Sequence, residues 1–511
     1  MSYPKKLLKF RPTKGYAVDT PTTELGPDFW GGSIQNVIFR RGFAQRIGGQ
    51  RPAYGTWPDP LYHLLNARVG TTNYWLGFGA DSITARETSN SDDVSPSLTP
   101  VDFPYQWSST LLNNIPVVSN SLDTPLYWAG DVGTPFVALP GFPAGTTCKS
   151  LAAFLGAQNS HLFALNIDEP SGLHESKVKW SAAAEPGTIP SEWTAAADNQ
   201  AGEIELSATP GPIMCAVPLR GSLLIYKRSS LYAADYIGGN DVFSFRPLLP
   251  SVGALTRHAV CDVNGKHIVV TDGDIVETDG TNLRSIGQAR MREYLFANLD
   301  STNYEALFVV FHRAKGEVWI CYPETGQSLC TKALVYDVAN DAFGVRDLDT
   351  VSCAAIGTIN DDASSEIIDD QEEIIDDDTR YLNQQNFSLS TESLVLGAAD
   401  QAIQQDTADA VTVGAKIGRY DLDFGDAARV KFVRRLHVRA QNYGTLAVRV
   451  GSRMSPTDAI TWSAEQTLTE PDQVVNAFAQ GRYISVEIRT AHTAVWTVSG
   501  IDIEYELRGY R

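Results

Sequence analysis

Acidic residues dominate the chemistry this sequence can offer. Residues 361–380, DDASSEIIDDQEEIIDDDTR, hold ten carboxylates and one arginine. The ten are Asp361, Asp362, Glu366, Asp369, Asp370, Glu372, Glu373, Asp376, Asp377 and Asp378. Clustered oxygens suit a hard cation such as calcium. The run lacks the D-x-[DN]-x-[DN]-G loop that folds such oxygens around one ion, so it reads first as a solvated loop. Its sharper reading is an anionic collar: carboxylates around a pore keep a passing polyanion off the wall, provided several copies form a ring.

Other chemistry is sparse. The eight histidines, at 63, 161, 174, 258, 267, 312, 437 and 492, are scattered and read as structural. The six cysteines, at 148, 215, 261, 321, 330 and 353, have no C-x-x-C spacing and read as small buried hydrophobes in a reducing compartment. No G-x-S-x-G elbow, P-loop, H-E-x-x-H or dinucleotide fingerprint is present. A glycosidase needs a carboxylate pair across the sugar, but sixty acidic residues supply pairs without specificity. The nearest stretch to a sialidase Asp-box, Ser181 to Trp193, lacks both the Asp and the spacing. The expectation is no enzyme, no cofactor and no metal.

Charge narrows the partners. Lys and Arg number 41 against 60 Asp and Glu, a net charge of −19. A field of that sign disfavours nucleic-acid binding and anionic membrane surfaces. The start, MSYPKKLLKFRPTKGY, has Lys5, Lys6, Arg11 and Lys14 but no apolar core of a signal peptide. Apolar stretches such as Ala306 to Phe311 are strand length, so no membrane span and a cytoplasmic site of synthesis are expected.

The elements that position these residues are strands. At 511 residues and 55.7 kDa the chain has room for two or three domains. Period-two segments rich in Val, Ile, Tyr, Phe and Trp alternate with Gly, Asn, Asp and Pro turns. They pair as Leu61–Asn66 with Asn73–Phe78, Leu151–Leu155 with His161–Leu165, and Leu223–Tyr226 with Leu231–Tyr236. His267–Thr271 pairs with Asp274–Glu277 across Asp272-Gly273, a strong hairpin signal. Leu307–His312 then pairs with Val318–Tyr322, and Ala333–Asp337 with Ala342–Arg346. Serial hairpins without crossover helices favour an antiparallel β-propeller. One helix interrupts, with Met291, Tyr294, Leu295, Asn298 and Leu299 on one face.

These signals predict an all-β protein with four parts. Residues 1–25 form an N-terminal arm and 26–360 a β-propeller-like body of hairpin blades. Residues 361–410 form an acidic loop or linker. Residues 411–511 form a C-terminal β-sandwich or jelly roll, with strands at Arg429–Ala440, Leu446–Gly451, Tyr483–Thr490 and Trp496–Leu507.

Six segments resemble the nozzle and head-completion proteins of short-tailed phages. Residues 26–55 carry the first, in Asn36, Val37, Phe39, Arg40, Gly42, Arg46, Gly48 and Gly49. Ile38 departs from the commoner Arg. The others are Pro125 to Trp128 with Leu139 to Pro143; Lys179-Trp180-Ser181 with Trp193; Ile225 to Gly287; LVYDVANDAFGVRDL at 334–348; and GRYISVEI with WTVSGIDIEYELRGYR. The acidic 361–410 insert maps onto nothing in that family. The resemblance implies a virion tail subunit in a ring, usually sixfold, below portal and adaptor proteins and beside fibres or spikes. Such a ring closes the channel after packaging and opens for ejection, with double-stranded DNA passing unbound through its lumen. The competing expectation is a glycan-binding adhesin, for which exposed Trp462 or Tyr443 would speak.

Overall fold

The structure is a computed structural model. It describes residues 5–87, 90–156, 160–196, 199–239, 241–359, 392–407, 409–411, 413–490, 493 and 495–509. No helix among them is long and apolar enough to cross a membrane. The fold is all-β: a propeller-like body of antiparallel blades joined to a β-sandwich.

Among the described residues the body has seven four-stranded blades. Blade 1 is His63–Val69, Thr72–Phe78, Ile83–Arg86 and Asp92–Asp93. Blade 2 is Ser108–Leu112, Ile115–Ser119, Leu126–Tyr127 and Val137–Ala138. Blade 3 is Thr147–Leu155, Ser160–Glu169, Gly172–Trp180 and Gly202–Glu205. Blade 4 is Ile213–Leu219, Ser222–Lys227, Leu231–Tyr236 and Phe243–Leu249. Blade 5 is Val260–Asp262, His267–Val270, Ile275–Thr278 and Leu283–Ser285. The expected hairpins are all present. Each pairs in a register set by its turn, as in Leu65 opposite Leu76 and Val269 opposite Val276.

The last two blades share one strand. Blade 6 runs Phe308–His312, Glu317–Tyr322, Cys330–Asp337 and the first half of Ala342–Gly357. At Thr350, with φ 51°, that strand turns out of blade 6. Residues 351–357 become the innermost strand of blade 7, followed by Ser393–Ala398 and Gln401–Thr407. The outermost strand comes from the far end of the chain.

Five N-terminal strands precede blade 1: β1 (Lys5–Phe10), β2 (Ile34–Gln35), β3 (Val37–Arg40), β4 (Phe43–Arg46) and β5 (Gly49–Thr56). β5 pairs with Gln401–Thr407 and so closes the ring, leaving no open edge between first and last blades. β1 lies along Thr497–Leu507 in the C-terminal unit, and β4 pairs with the start of that same strand. β2 pairs with Lys416–Leu422 in the facing sheet.

These placements redraw the expected boundaries. The arm is a sheet strand from Lys5, residues 34–46 bridge blade 6 and the sandwich, and residues 393–407 are two blade strands rather than linker. The physical reason is tertiary: each segment pairs with a sheet edge formed elsewhere in the chain, as Lys5–Phe10 does with Thr497–Leu507 and Gln401–Thr407 with β5.

The sandwich packs two sheets. One holds β1, Thr497–Leu507, Lys431–Gln441 and Val474–Gly481; the other holds β2, Lys416–Leu422, Tyr483–Thr490 and Thr445–Arg453. Leu436, Val438, Val448, Val486, Ile488 and Ile503 fill the space between, all fully buried. Their cluster runs without a break into blades 4 to 6, so the two units share one apolar core.

A short helix, α1 (Arg292–Asn298), lies between blades 5 and 6. Met291 and Leu295 are its buried face, as its spacing predicts. Its first amides, on Glu293 and Tyr294, donate to the Asp19 carboxylate at 2.9 and 3.0 Å. An N-terminal residue thus caps it from 274 positions away.

Candidate functional site: the axial cavity and the joint beside it

The innermost strands of the blades converge on an axial cavity of about 260 Å³. Its walls come from the starts of these strands and the loops entering them. Those loops supply Tyr105, Arg257 and His258, and the strands supply His63, Ser109 and Ser150.

The two histidines are neutral. Burial pushes His63 down to about 3, helped by His258. Burial and the neighbouring Arg257 push His258 down to about 4. Their rings lie 6.1 Å apart, and His63 Nε2 is 2.8 Å from Ser109 Oγ. Burial raises the Cys215 and Cys353 thiols to about 12, which keeps the nucleophilic thiolate form scarce. Tyr105 is raised to about 12 by burial, the Glu305 charge and a hydrogen bond to that carboxylate. The lining therefore offers one cation, neutral imidazoles and hydroxyl donors. That set suits binding.

A second cluster sits at the rim of blades 6 and 7. His312, Glu317 and Asp406 bring one ligand atom each to within 4.8 Å of one another, a geometry a metal ion could use. Arg40 occupies their centre. Its guanidinium donates to both Glu317 oxygens and to Asp406. Arg346 lies close by, stacked 4.9 Å over Trp319. Burial raises Glu317 against the pull of Arg40, while Arg40 and Arg346 hold Asp406 low despite its burial. Burial keeps His312 neutral, at about 4. Two guanidiniums neutralise the two carboxylates, so an added dication would meet no net negative charge. The group acts as a clamp: Arg40 on β3 grips blades 6 and 7 at once.

The remaining residues of the 26–55 segment build the same joint. Asn36, held at φ 52°, donates to Asp347 Oδ2 at 3.1 Å and to the Gly414 carbonyl at 2.8 Å. Its own Oδ1 accepts the Asp347 amide at 2.8 Å. Arg46 donates to the Val411 and Val413 carbonyls. Gly49 passes so close to blade 7 that a Cβ would stand 2.2 Å from the Asp409 carbonyl oxygen. Two other resembling segments meet in a structural contact. Phe142 packs edge-on against Trp193 at 4.8 Å, locking blades 2 and 3.

The ten acidic candidates, Asp361 to Asp378, lie outside the described residues. Their insertion point is nevertheless fixed by its flanks, the innermost and second strands of blade 7. The Asp272-Gly273 and Asp279-Gly280 turns are hairpin turns, with Gly273 at φ 123° and Gly280 at φ 87°. Sequence reading missed Arg257, Glu305 and the clamp that Arg40 makes, because their partners are distant along the chain. Tyr443 is buried, with its hydroxyl donating to the Asp472 carbonyl. Trp462 is half-buried beneath the Arg449 guanidinium at 4.2 Å.

No family model and no curated protein matches the chain. Among solved structures it is similar to BBS1N, crystallised in complex with ARL6DN, at 11% identity and a TM-score of 0.40 over 71% of this chain and 97% of that one. It is similar to the extracellular domain of a putative one-component system from B. thetaiotaomicron at 9% identity and a TM-score of 0.39, covering 82% of this chain and 52% of that one. It is also similar to an exo-beta-1,3-galactanase from Phanerochaete chrysosporium at 10% identity and a TM-score of 0.26, covering 89% and 100%.

Proposed function

We propose that this chain is a structural subunit of a short-tailed phage tail, forming a ring at the distal end below portal and adaptor. The ring closes the DNA channel after packaging and opens for ejection. One observation carries the reading. The 26–55 segment, where the resemblance is densest, is the joint that closes the propeller and ties it to the sandwich. A resemblance in a joint concerns how two β units are held together, which is what a ring subunit under pressure from packaged DNA must preserve.

Two further features support it. A net charge of −19 makes the surface repel DNA on average, as a channel wall should. The axial cavity is far too small for a duplex, so DNA belongs in a lumen between subunits. Tyr443 is buried and Trp462 is half-buried with Arg449 stacked on it, so neither is the exposed aromatic that the adhesin reading asks for.

The test is the copy number of this chain relative to the portal protein in purified particles, by quantitative mass spectrometry. About six copies are expected for one closed ring. Absence from the particle would overturn the reading. A number far above one ring would move it to fibres or an adhesin.

A further inference from the structure

Several arginines in this protein are matched to carboxylates or tied into backbone carbonyls, while the buried Arg346 donates to Gln50 Oε1 and stacks on Trp319. Arg40 meets Glu317 and Asp406, Arg453 meets Asp421, and Arg449 meets Glu487. Arg419 lacks a carboxylate but donates to the Thr22, Leu25 and Tyr420 carbonyls. Arg257 also lacks an ion pair, and it lines a cavity. Its Nη1 donates to Ser121 Oγ at 2.9 Å and to the Lys149 carbonyl at 3.2 Å, both neutral acceptors. No carboxylate of the described residues stands within 4.0 Å of it, and its Nε and Nη2 have no hydrogen-bond partner among them. Arg257 is half-buried, and a guanidinium partly removed from water without a counter-charge is costly. This one lines the axial cavity.

We propose that the axial cavity is a binding site for a small oxyanion, a carboxylate or phosphate carrying one negative charge, with Arg257 as its counter-ion. The size fits. A cavity of about 260 Å³ is many times what a single water needs and admits inorganic phosphate or a short carboxylate. The charge fits too. His63 and His258 are neutral, so Arg257 is the sole full positive charge among the lining groups named above, and one anionic charge balances it. Ser150 Oγ has no hydrogen-bond partner among the described residues and offers a further donor. Glu305 is the competing anion. It acts on Arg257 through space, beyond ion-pair distance, while Tyr105 holds its carboxylate. The proposal stands on this geometry and not on the tail reading.

The experiment is isothermal titration of the full chain at pH 7 with sodium phosphate and, separately, sodium acetate, against sodium chloride at equal ionic strength. Saturable binding of one of the two oxyanions, at one site per chain, is expected in the millimolar range or tighter. R257Q should weaken it about 10- to 100-fold, the scale of a charged hydrogen bond. E305Q should tighten it several-fold, because it removes the competing charge while leaving the cation. Phosphate binding alone would assign a phosphate site, and acetate alone a carboxylate site. No saturable binding of either by the wild-type chain would overturn the proposal. So would equal affinity in wild type and in an R257Q chain whose near-ultraviolet circular dichroism is unchanged. E305Q keeps the test independent of R257Q folding: weaker binding in E305Q would also overturn it.

Discussion

At the scale of single residues, burial decides what each titratable group does. Glu317 and Asp406 are carboxylates that water no longer stabilises, and Arg40 replaces that water. Removing one partner of a buried pair leaves an unmatched charge, at a cost of about 3–5 kcal/mol. R40A is therefore expected to lower the unfolding free energy by that amount, read as a lower urea midpoint at unchanged slope. A loss under about 1 kcal/mol would mean the clamp contributes nothing net.

The histidines make a pH prediction. His63, His258 and His312 have folded values of about 3, 4 and 4, below the unfolded value of about 6.5. Between those limits the unfolded chain binds more protons, so stability rises with pH there. Their contribution is complete above about pH 6.5 and is lost as pH falls toward 4, at up to about 1.4 kcal/mol per pH unit for each histidine. The double variant H63Q/H258Q should show a shallower acid slope in urea midpoint against pH. An unchanged slope would assign the acid sensitivity to other groups. The cavity histidines were visible in the sequence only as scattered residues, since nothing local marks that 63 and 258 meet.

At the scale of elements, closure of the ring rests on β5. Its pairing with Gln401–Thr407 joins residues some 350 positions apart in the chain. Gly49 begins that strand where a side chain would strike the Asp409 carbonyl. G49A is expected to force the strands apart at a cost of about 1–3 kcal/mol, the usual price of overpacking. Amide hydrogen exchange should then quicken at 49–56 and 401–407 and stay unchanged at Lys431–Gln441 in the sandwich. Equal protection across blade 7 would show that the joint absorbs the methyl group. The hairpins were legible because their signals are local: period-two apolar residues and a turn residue free to take positive φ. Ser393–Ala398 was not, because it follows a long acidic and polar stretch that reads as linker.

At the scale of the whole molecule, the acidic segment is inserted between the innermost and second strands of blade 7. In a ring of subunits, carboxylates on such an insertion would repel DNA in the lumen. Replacing Asp369, Asp370, Asp376 and Asp377 with Asn should then change DNA retention or ejection rate in particles with normal DNA content. Unchanged ejection would remove the collar and leave the ring itself standing. The two β units share one core, so they are expected to unfold together rather than as separate domains.

The sequence by itself determined the class of the protein, the hairpins, the one helix face and the sandwich strands. Each of these depends on neighbours within about ten residues, where pleat, helical turn and turn chemistry act directly on the chain. Only the tertiary structure decided the number of blades, the closing strand, the clamp on Arg40 and the cavity around Arg257. Those depend on which sheet edges and which charges remain unmet after local folding, and their partners arrive from hundreds of residues away without any periodic trace.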